Sequence, residues 1–433
     1  MRAYLAVLRI ADYRLLWIGL VLNLLGDGAT FAAMAWITVE RAGAAGLGVL
    51  GVCLTLPVLV GGAVIGPLLD RFSRRKLFVY DSIVRGFVVA GIPLLAAVGA
   101  FEVWQLYVVA AVYGLLKIIP LAGTPAVLPE LVPPERLQAA TGLESTAMGA
   151  ASIAGPAIGA VLIWLIGATN VLLLDALTYF AFAGLITMIK APLGRPEPAE
   201  PVAAEPGLGG GSGVGGRGRR SQAGWAPVLR LLLRDRFLLF LTVGFALFNI
   251  SAGALLVALP WLAKVHLDRG PGVLGLMLAV GATAELIGSV VSGAVKTSDR
   301  QMIRIGVFQF LAGASLLLLL PASLPFVLAG LVLNGVLTSP MTVLGGVVRL
   351  TRTPNEQRGR AMTLMRTTMS GALPFGSALG GLLLAGGHYT ALIIAVVVLA
   401  AAPGLLTVLG FRNTATFRPG VGPDVRPAAV PAS

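Results

Sequence analysis

Eight ionisable side chains sit inside stretches that are otherwise apolar: Asp27, Asp81, Arg85, Lys117, Glu144, Asp175, Glu285 and Arg366. At mid-helix in hydrocarbon such a group costs at least about 2.5–3.5 kcal/mol, so each needs a partner or a task. The chemistry open to a carboxyl in a dry interior is proton uptake from one side and release when water or a cation reaches it. Asp27 stands 12 residues past Leu15, about 18 Å along a helix and close to the middle of a bilayer. Asn23, Thr30 and Met34 share its helix face at spacings of three and four. This stripe fits either a polar cluster satisfied by a neighbouring helix or a water-lined cavity holding a protonatable group. Glu285, 13 residues into its own apolar stretch and accompanied by Gly281, Thr283 and Gly288, is the second midplane carboxylate. Asp27 and Glu285 are therefore the proton-coupling candidates. Asp175 has no assigned role beyond a local cap or packing contact.

Redox and metal chemistry lack donors. The single cysteine, Cys53, lies in an apolar run and excludes an intramolecular disulfide or a Cys-based metal site, and two distant histidines, His266 and His388, argue against zinc or haem. No cofactor is expected.

The elements that position these groups follow from composition. Of 433 residues, 57% are hydrophobic and 12% charged, against about 25% charged in a soluble domain. Together with a mean hydropathy of +0.90, this excludes a soluble globular protein. A net charge of +13 does not indicate nucleic-acid binding, because long apolar runs separate the basic residues. A bilayer core about 30 Å thick takes roughly 20 helical residues. Twelve apolar stretches of that length are predicted, near 15–39, 47–69, 77–99, 103–123, 139–163, 169–189, 237–260, 272–295, 302–321, 325–348, 361–386 and 389–410. The first is too long for a signal-peptide core and lacks a cleavage site, so it is read as a helix of the mature protein.

An even number of spans places both termini on one side. That side carries 26 of the 32 Lys and Arg residues, the opposite side only Arg41, Lys264 and Arg269, which predicts cytoplasmic termini. Residues 191–228, rich in Pro, Glu and then Gly, read as a flexible cytoplasmic linker between helical bundles at 1–190 and 229–412, and 413–433 as a disordered tail. The Gly-rich run lacks the lysine of a nucleotide-binding phosphate loop, and no strand precedes it.

The halves repeat. Pro133-Pro134-Glu135 through Gly155-Pro156-Ala157-Ile158-Gly159 aligns without a gap on Pro354-Asn355-Glu356 through Gly376-Ser377-Ala378-Leu379-Gly380, shifted by 221 residues. Asp12-Tyr13-Arg14-Leu15-Leu16 is similar to Asp235-Arg236-Phe237-Leu238-Leu239 at a shift of 223. Two equivalent six-helix halves, with sites at their interface, fit a transporter.

Between the second and third stretches runs Gly66-Pro67-Leu68-Leu69-Asp70-Arg71-Phe72-Ser73-Arg74-Arg75-Lys76. Its Gly-x-x-x-Asp-Arg-x-x-Arg-Arg pattern, in a short loop after span two of twelve, resembles the signature of the major facilitator superfamily. The matching loop of the second half, residues 293–300, is degenerate. The resemblance implies an all-α integral membrane protein with twelve transmembrane helices in two pseudo-symmetric six-helix bundles. It also implies a cytoplasmic gate around Gly66, Asp70, Arg71, Arg74 and Arg75, where Asp70 pairs with arginines or the N-terminus of a facing helix and biases outward-facing against inward-facing states. Asp81 and Arg85, four apart and able to pair, are expected to extend that network with Glu144. Arg366, one position past the repeat equivalent of Glu144, is expected to serve the second half's gate.

Gly155, Pro156 and Gly159 resemble the Gly-Pro-x-x-Gly motif of antiporters in this superfamily. They also fit plain helix packing, with small residues four apart and a proline bend; the fuller antiporter pattern has glycine where Ala160 stands. Tyr13-Arg14-Leu15-Leu16-Trp17-Ile18-Gly19 with Gly26-Asp27-Gly28, and Thr124-Pro125-Ala126-Val127-Leu128-Pro129-Glu130-Leu131-Val132-Pro133, are similar to the macrolide-efflux and enterobactin-exporter branch of drug:proton antiporters. By that analogy Asn23, Thr30, Met34, Lys117, Asn249 and Asn334 are substrate-cavity candidates. Lys117 would neutralise Asp27 or attract an anionic substrate. Trp36, Tyr113 and Phe248 suit an amphipathic organic molecule, although each alone fits lipid-facing or core positions.

The leading reading is a proton-coupled antiporter exporting amphipathic organic molecules such as a drug, an antibiotic, a natural product or a siderophore. The alternative is an importer of a small metabolite, with Lys117 or Arg85 binding its carboxylate. A membrane acyltransferase would need a catalytic pair, and the histidines have only Asp268 nearby; an ATP-driven pump would need a nucleotide-binding sequence. The expected setting is the plasma membrane, as a multi-pass monomer with lipid, protons and a small organic substrate as partners and no nucleic acid. With 27 Arg against 5 Lys, the composition hints at a GC-rich bacterial genome.

Overall fold

The computed structural model describes residues 2–194, 225–293, 300–354 and 357–412, leaving aside the side chains of residues 2–3, 62–71, 121–122, 126, 225, 291 and 293. Among the described residues every regular element is helical. In order they are α1 (Arg2–Leu8), α2 (Ala11–Arg71), α3 (Arg74–Ala97), α4 (Val103–Leu116), α5 (Ile118–Leu131), α6 (Leu137–Ile166), α7 (Ala168–Met188), α8 (Trp225–Arg234), α9 (Arg236–Trp261), α10 (Pro271–Gly293), α11 (Gln301–Ser315), α12 (Leu324–Arg352), α13 (Arg358–Ser370), α14 (Leu373–Ala385) and α15 (Tyr389–Phe411).

Among the described residues eleven helical segments are long and apolar enough to cross a membrane, where the sequence pattern predicts twelve stretches. The difference lies in α2. Its 61 residues would extend about 90 Å if straight, three times the bilayer core. Gly43 breaks it at φ 60°, ψ −153°, a conformation essentially restricted to glycine, so the stretches predicted at 15–39 and 47–69 become two arms of one helix with no loop between them. Nothing lies within 4 Å of where a Gly43 Cβ would stand; backbone conformation, not crowding, calls for glycine here.

Two other spans are jointed. The fourth breaks at Lys117 between α4 and α5, where Pro120 has no N–H to give the Leu116 carbonyl; Pro125 and Pro129 interrupt the ladder again further along α5. The eleventh breaks between α13 and α14, with proline in the first turn of α14.

Within the first six spans α2 packs on α4, α6 and α7, and α3 packs on α7; within the last six, α9 packs on α14 and α15, α10 on α12, and α11 on α15 and α12. The repeat is visible in the seams. A Cβ at Gly155 would stand 3.0 Å from the Gly28 Cα and one at Gly159 2.6 Å from the Ala29 Cα; 221 residues on, Gly376 abuts the Ile250 carbonyl and a Gly380 Cβ would meet Ala254 and Val257. Small residues let these backbones approach closely.

The halves meet through α2 on α14, α6 on α10 and α2 on α9. A Cβ at Gly48 would lie 2.8 Å from the Gly381 Cα, and Gly275 packs on Ala160 and the Pro156 carbonyl. Near Gly43, Lys264 Nζ donates to Glu40 Oε1 at 2.9 Å and lies 5.0 Å from the Trp36 ring centre. This contact joins the halves at the end of the molecule opposite the termini.

Both ends of the predicted linker carry structure. Asp12 accepts from the Lys190 and Ala191 amides, and Leu193 is buried. At the other end α8 begins at Trp225, and its Val228 and Leu232 are buried with Ala361 and Met365. Residues 195–224 and 413–433 lie outside the described residues.

Candidate functional site

The chemistry concentrates where α2, α3, α4 and α7 meet. The sequence Gly26-Asp27-Gly28 makes this possible, because each flanking glycine removes a side chain from a helix contact. Asp175 Oδ1 of α7 occupies the space a Gly26 Cβ would need, and Gly28 lies against Gly155 and the Pro156 ring of α6. Asp27, between them, is drawn into the interior of the first six spans. Its Oδ1 accepts from the Tyr179 hydroxyl at 2.5 Å, and the Tyr113 hydroxyl of α4 is directed at the same carboxyl.

Arg85 stands on the other side of Tyr179, its guanidinium carbon 4.8 Å from the ring centre. The residue is fully buried, and its Nε donates to Asp81 Oδ1 at 3.1 Å while Nη2 pairs with Asp81 Oδ2. Its Nη1 has no partner. One turn away, the Thr30 hydroxyl donates to Asp175 Oδ2 at 2.6 Å, and the Thr178 hydroxyl approaches Asp175 Oδ1 at 3.0 Å. Asn23, one turn from Asp27 in the other direction, is buried with an unpartnered Nδ2. Three carboxyls, one guanidinium and two phenols thus share one interior.

The structure groups the candidates differently from the sequence pattern. Asp81 and Arg85, expected to extend the signature-loop network, bear on Asp27 and Tyr179. Glu144, expected in the same network, lies by Tyr13, whose hydroxyl donates to the Ala140 carbonyl at 3.0 Å. The cation that shares the interior with Asp27 is Arg85; Lys117 is exposed at the α4/α5 joint. Met34 is fully buried. Glu285 is exposed on α10, and its backbone carbonyl accepts from Ser339. Asn249 Nδ2 donates to the Phe245 carbonyl at 2.8 Å and Asn334 Nδ2 to the Ala312 carbonyl at 2.9 Å, so both amides bind backbone. Arg366 is exposed.

Of the signature loop, the side chains of Gly66, Asp70 and Arg71 lie outside the described residues. Arg74 pairs with Glu130 at the end of α5, and Arg75 Nη2 donates to the Ile189 and Ala191 carbonyls at 2.5 and 2.7 Å. These two arginines tie the start of α3 to the ends of α5 and α7. Gly155, Pro156 and Gly159 form the α6 side of the seam that seats Gly28 and Ala29 beside Asp27.

Asp175, Tyr113 and Tyr179 complete the cluster, and the sequence pattern does not mark them as proton-binding residues. Depth was the available signal. Arg85 lies 11 residues from the start of α3 and Asp175 13 residues from the end of α7, about 16 and 20 Å from the same end of the molecule; Asp27 sits at a matching depth.

The sequence profile of the Major Facilitator Superfamily matches residues 16–295 and 241–429. The multidrug efflux pump Tap of Mycobacterium tuberculosis is 26% identical over 381 residues, covering 86% of this chain and 87% of that protein. Macrolide efflux protein A of Streptococcus pyogenes is 23% identical over 180 residues, 41% of this chain and 44% of that one. Among solved structures, the nucleoside transporter NupG superposes with a TM-score of 0.68 at 11% identity over 93% of this chain and 99% of that chain. An inward-facing, occupied bacterial homologue of the human lysosomal transporter Spinster superposes at 0.66 and 14% identity, over 94% and 96% of the two chains.

Proposed function

The chain belongs to the major facilitator superfamily and is a membrane transporter rather than an enzyme, and from that premise we propose that it exports amphipathic organic molecules in exchange for protons. The observation that carries the exchange is Asp27, a carboxyl held at mid-depth by Tyr179 beside a buried Arg85. The names of the multidrug and macrolide efflux relatives support the export direction.

In this reading Asp27 is the exchanging group. Ionised, it accepts from Tyr179 and is attracted to Arg85. Once protonated it loses that attraction, and Arg85 is left to Asp81 alone. The contacts holding α2 against α3, α4 and α7 then differ between the two protonation states, and a difference of that kind shifts a conformational equilibrium. The Glu40–Lys264 contact belongs to the state in which the end opposite the termini is closed; it must part when that end opens. The excess of basic residues on the side of the termini supports cytoplasmic termini in a bacterial plasma membrane, and a six-plus-six division about residues 191–228 makes the two halves the moving bodies. Arg74 and Arg75 serve the cytoplasmic side by fixing loops of the first half.

Accumulation of a labelled compound panel in cells tests the proposal, comparing wild type, Asp27→Asn and Glu285→Gln with and without a protonophore. Deletion of the transporter should raise accumulation of its substrates. Asp27→Asn should bring protonophore-sensitive export to background. Proton-driven export that persists with both carboxyls amidated would overturn the coupling, and lower accumulation on deletion would reverse the direction.

A further inference from the structure

We propose that Asp175 is a carboxylic acid that keeps its proton resident in the membrane interior, leaving Asp27 as the exchanging acid of this cluster. The inference deepens the proton-exchange reading and rests on it for its consequence, not for its chemistry. Asp175 is 2% exposed. Its Oδ1 presses on the Gly26 backbone, where a Cβ would otherwise stand, which leaves no room there for water or a cation.

The partners of Asp175 are hydroxyls. The Thr178 hydroxyl lies 2.8 Å from the Asp175 carbonyl and 3.0 Å from its Oδ1, and its single proton serves one of them. The 2.6 Å contact between Thr30 Oγ1 and Asp175 Oδ2 serves equally with the carboxyl O–H donating to Thr30, since a hydroxyl both donates and accepts. Neutral hydroxyls alone do not compensate a fully buried carboxylate, whose desolvation costs several kcal/mol.

The charged and titratable groups that bear on Asp175 are Asp27 from α2, Arg85 from α3, Tyr113 from α4 and Tyr179 from α7 itself. Arg85 is committed to Asp81 through two nitrogens, which closes one neutral ion pair. With all three acids ionised, the cluster would carry two uncompensated negative charges in a dry interior. A proton on Asp175 takes away one of those two charges, and burial among neutral hydroxyls, which the state of Asp27 does not alter, holds it there. The cluster then exchanges one proton, through Asp27, per cycle.

Infrared spectroscopy of the full-length protein in lipid nanodiscs at neutral pH tests this. Wild type should show a protonated-carboxyl carbonyl band that Asp175→Asn removes and Asp27→Asn leaves in place. Thr30→Val should shift the band without removing it, because the hydrogen bond changes and the acid stays. This second variant reads the assignment even if Asp175→Asn fails to fold. Absence of the band, or its loss in Asp27→Asn with no response to Thr30→Val, would overturn the proposal. Ethidium uptake into vesicles under an imposed pH gradient separates the two claims. Uptake indifferent to the gradient, with the Asp175 band present, would sink the exchange reading alone; gradient-driven uptake without the band would sink the resident proton alone.

Discussion

The first and last six spans use the same seam for different purposes. Where Gly155 and Gly159 of α6 receive Gly28 and Ala29, Gly376 and Gly380 of α14 receive Ile250 and Ala254. Yet at the shift of 223, Gly26-Asp27-Gly28 becomes Asn249-Ile250-Ser251. Three amides of the second half bond to backbone instead: Gln309 to the Gly244 carbonyl at 2.9 Å, Asn249 to Phe245 and Asn334 to Ala312. Duplication thus kept the packing and let the chemistry diverge. An amide fixes a helix contact at any pH, whereas a carboxyl fixes it in one protonation state. At this seam the first half therefore presents titratable groups and the second half amides, while the second half's own intramembrane carboxyl, Glu285, is exposed on α10.

The largest expected effect that tests this contrast lies in the charged wall. Arg85→Met leaves Asp81 buried and unpaired and should cost about 3–5 kcal/mol, read as a fall in the unfolding midpoint in detergent. Adding Asp81→Leu should recover much of that loss. Gln309→Leu, the matching test of the neutral wall, strips one partner from a backbone carbonyl and should cost about 1–3 kcal/mol. A Gln309 variant that destabilised more than Arg85→Met would erase the distinction between the halves.

Gly155→Val and Gly376→Val come next. Both overfill a helix seam and should cost about 1–3 kcal/mol each, equal stability losses being the sign of a conserved packing role. Only Gly155→Val should also impair proton-dependent export, because only that seam seats Asp27. Equal transport losses in the two variants would show that the seams, not the carboxyl, set the rate. The smallest effect belongs to Glu40–Lys264, whose side chains are 42% and 37% exposed. A double-mutant cycle of Glu40→Gln and Lys264→Met should give a coupling of about 0.2–1 kcal/mol, and outward exposure of Trp36, read by quenching, should rise in either single variant.

Much of this architecture is readable from the chain. Span length and apolarity mark the twelve stretches, and the 221-residue repeat marks the glycine seams. The joint at Gly43 escapes such reading, because the apolar run continues through it and a break at one residue leaves no loop signal. Asp81 and Arg85 are legible as an i, i+4 pair, but not the direction they face. That direction follows from the buried stripe of α3, which runs through Phe78, Asp81, Ser82, Arg85, Gly86 and Val89, small and charged residues lying on the packed face. Asp175 stayed without a task because its partner Thr30 is 145 residues away, a pairing that only tertiary structure supplies.

The hinge at Gly43 has a consequence for how the molecule moves. Glu40 lies three residues before it and Gly48 five residues after it, and these residues contact the second half at Lys264 and at Gly381 respectively. A connecting loop would let one contact part while the other held. A crease one residue wide offers only its two dihedrals, so one contact can part while the other holds only by a turn about those two bonds. The way this end unseals should therefore be written in two bond rotations at Gly43, not in the rearrangement of a loop.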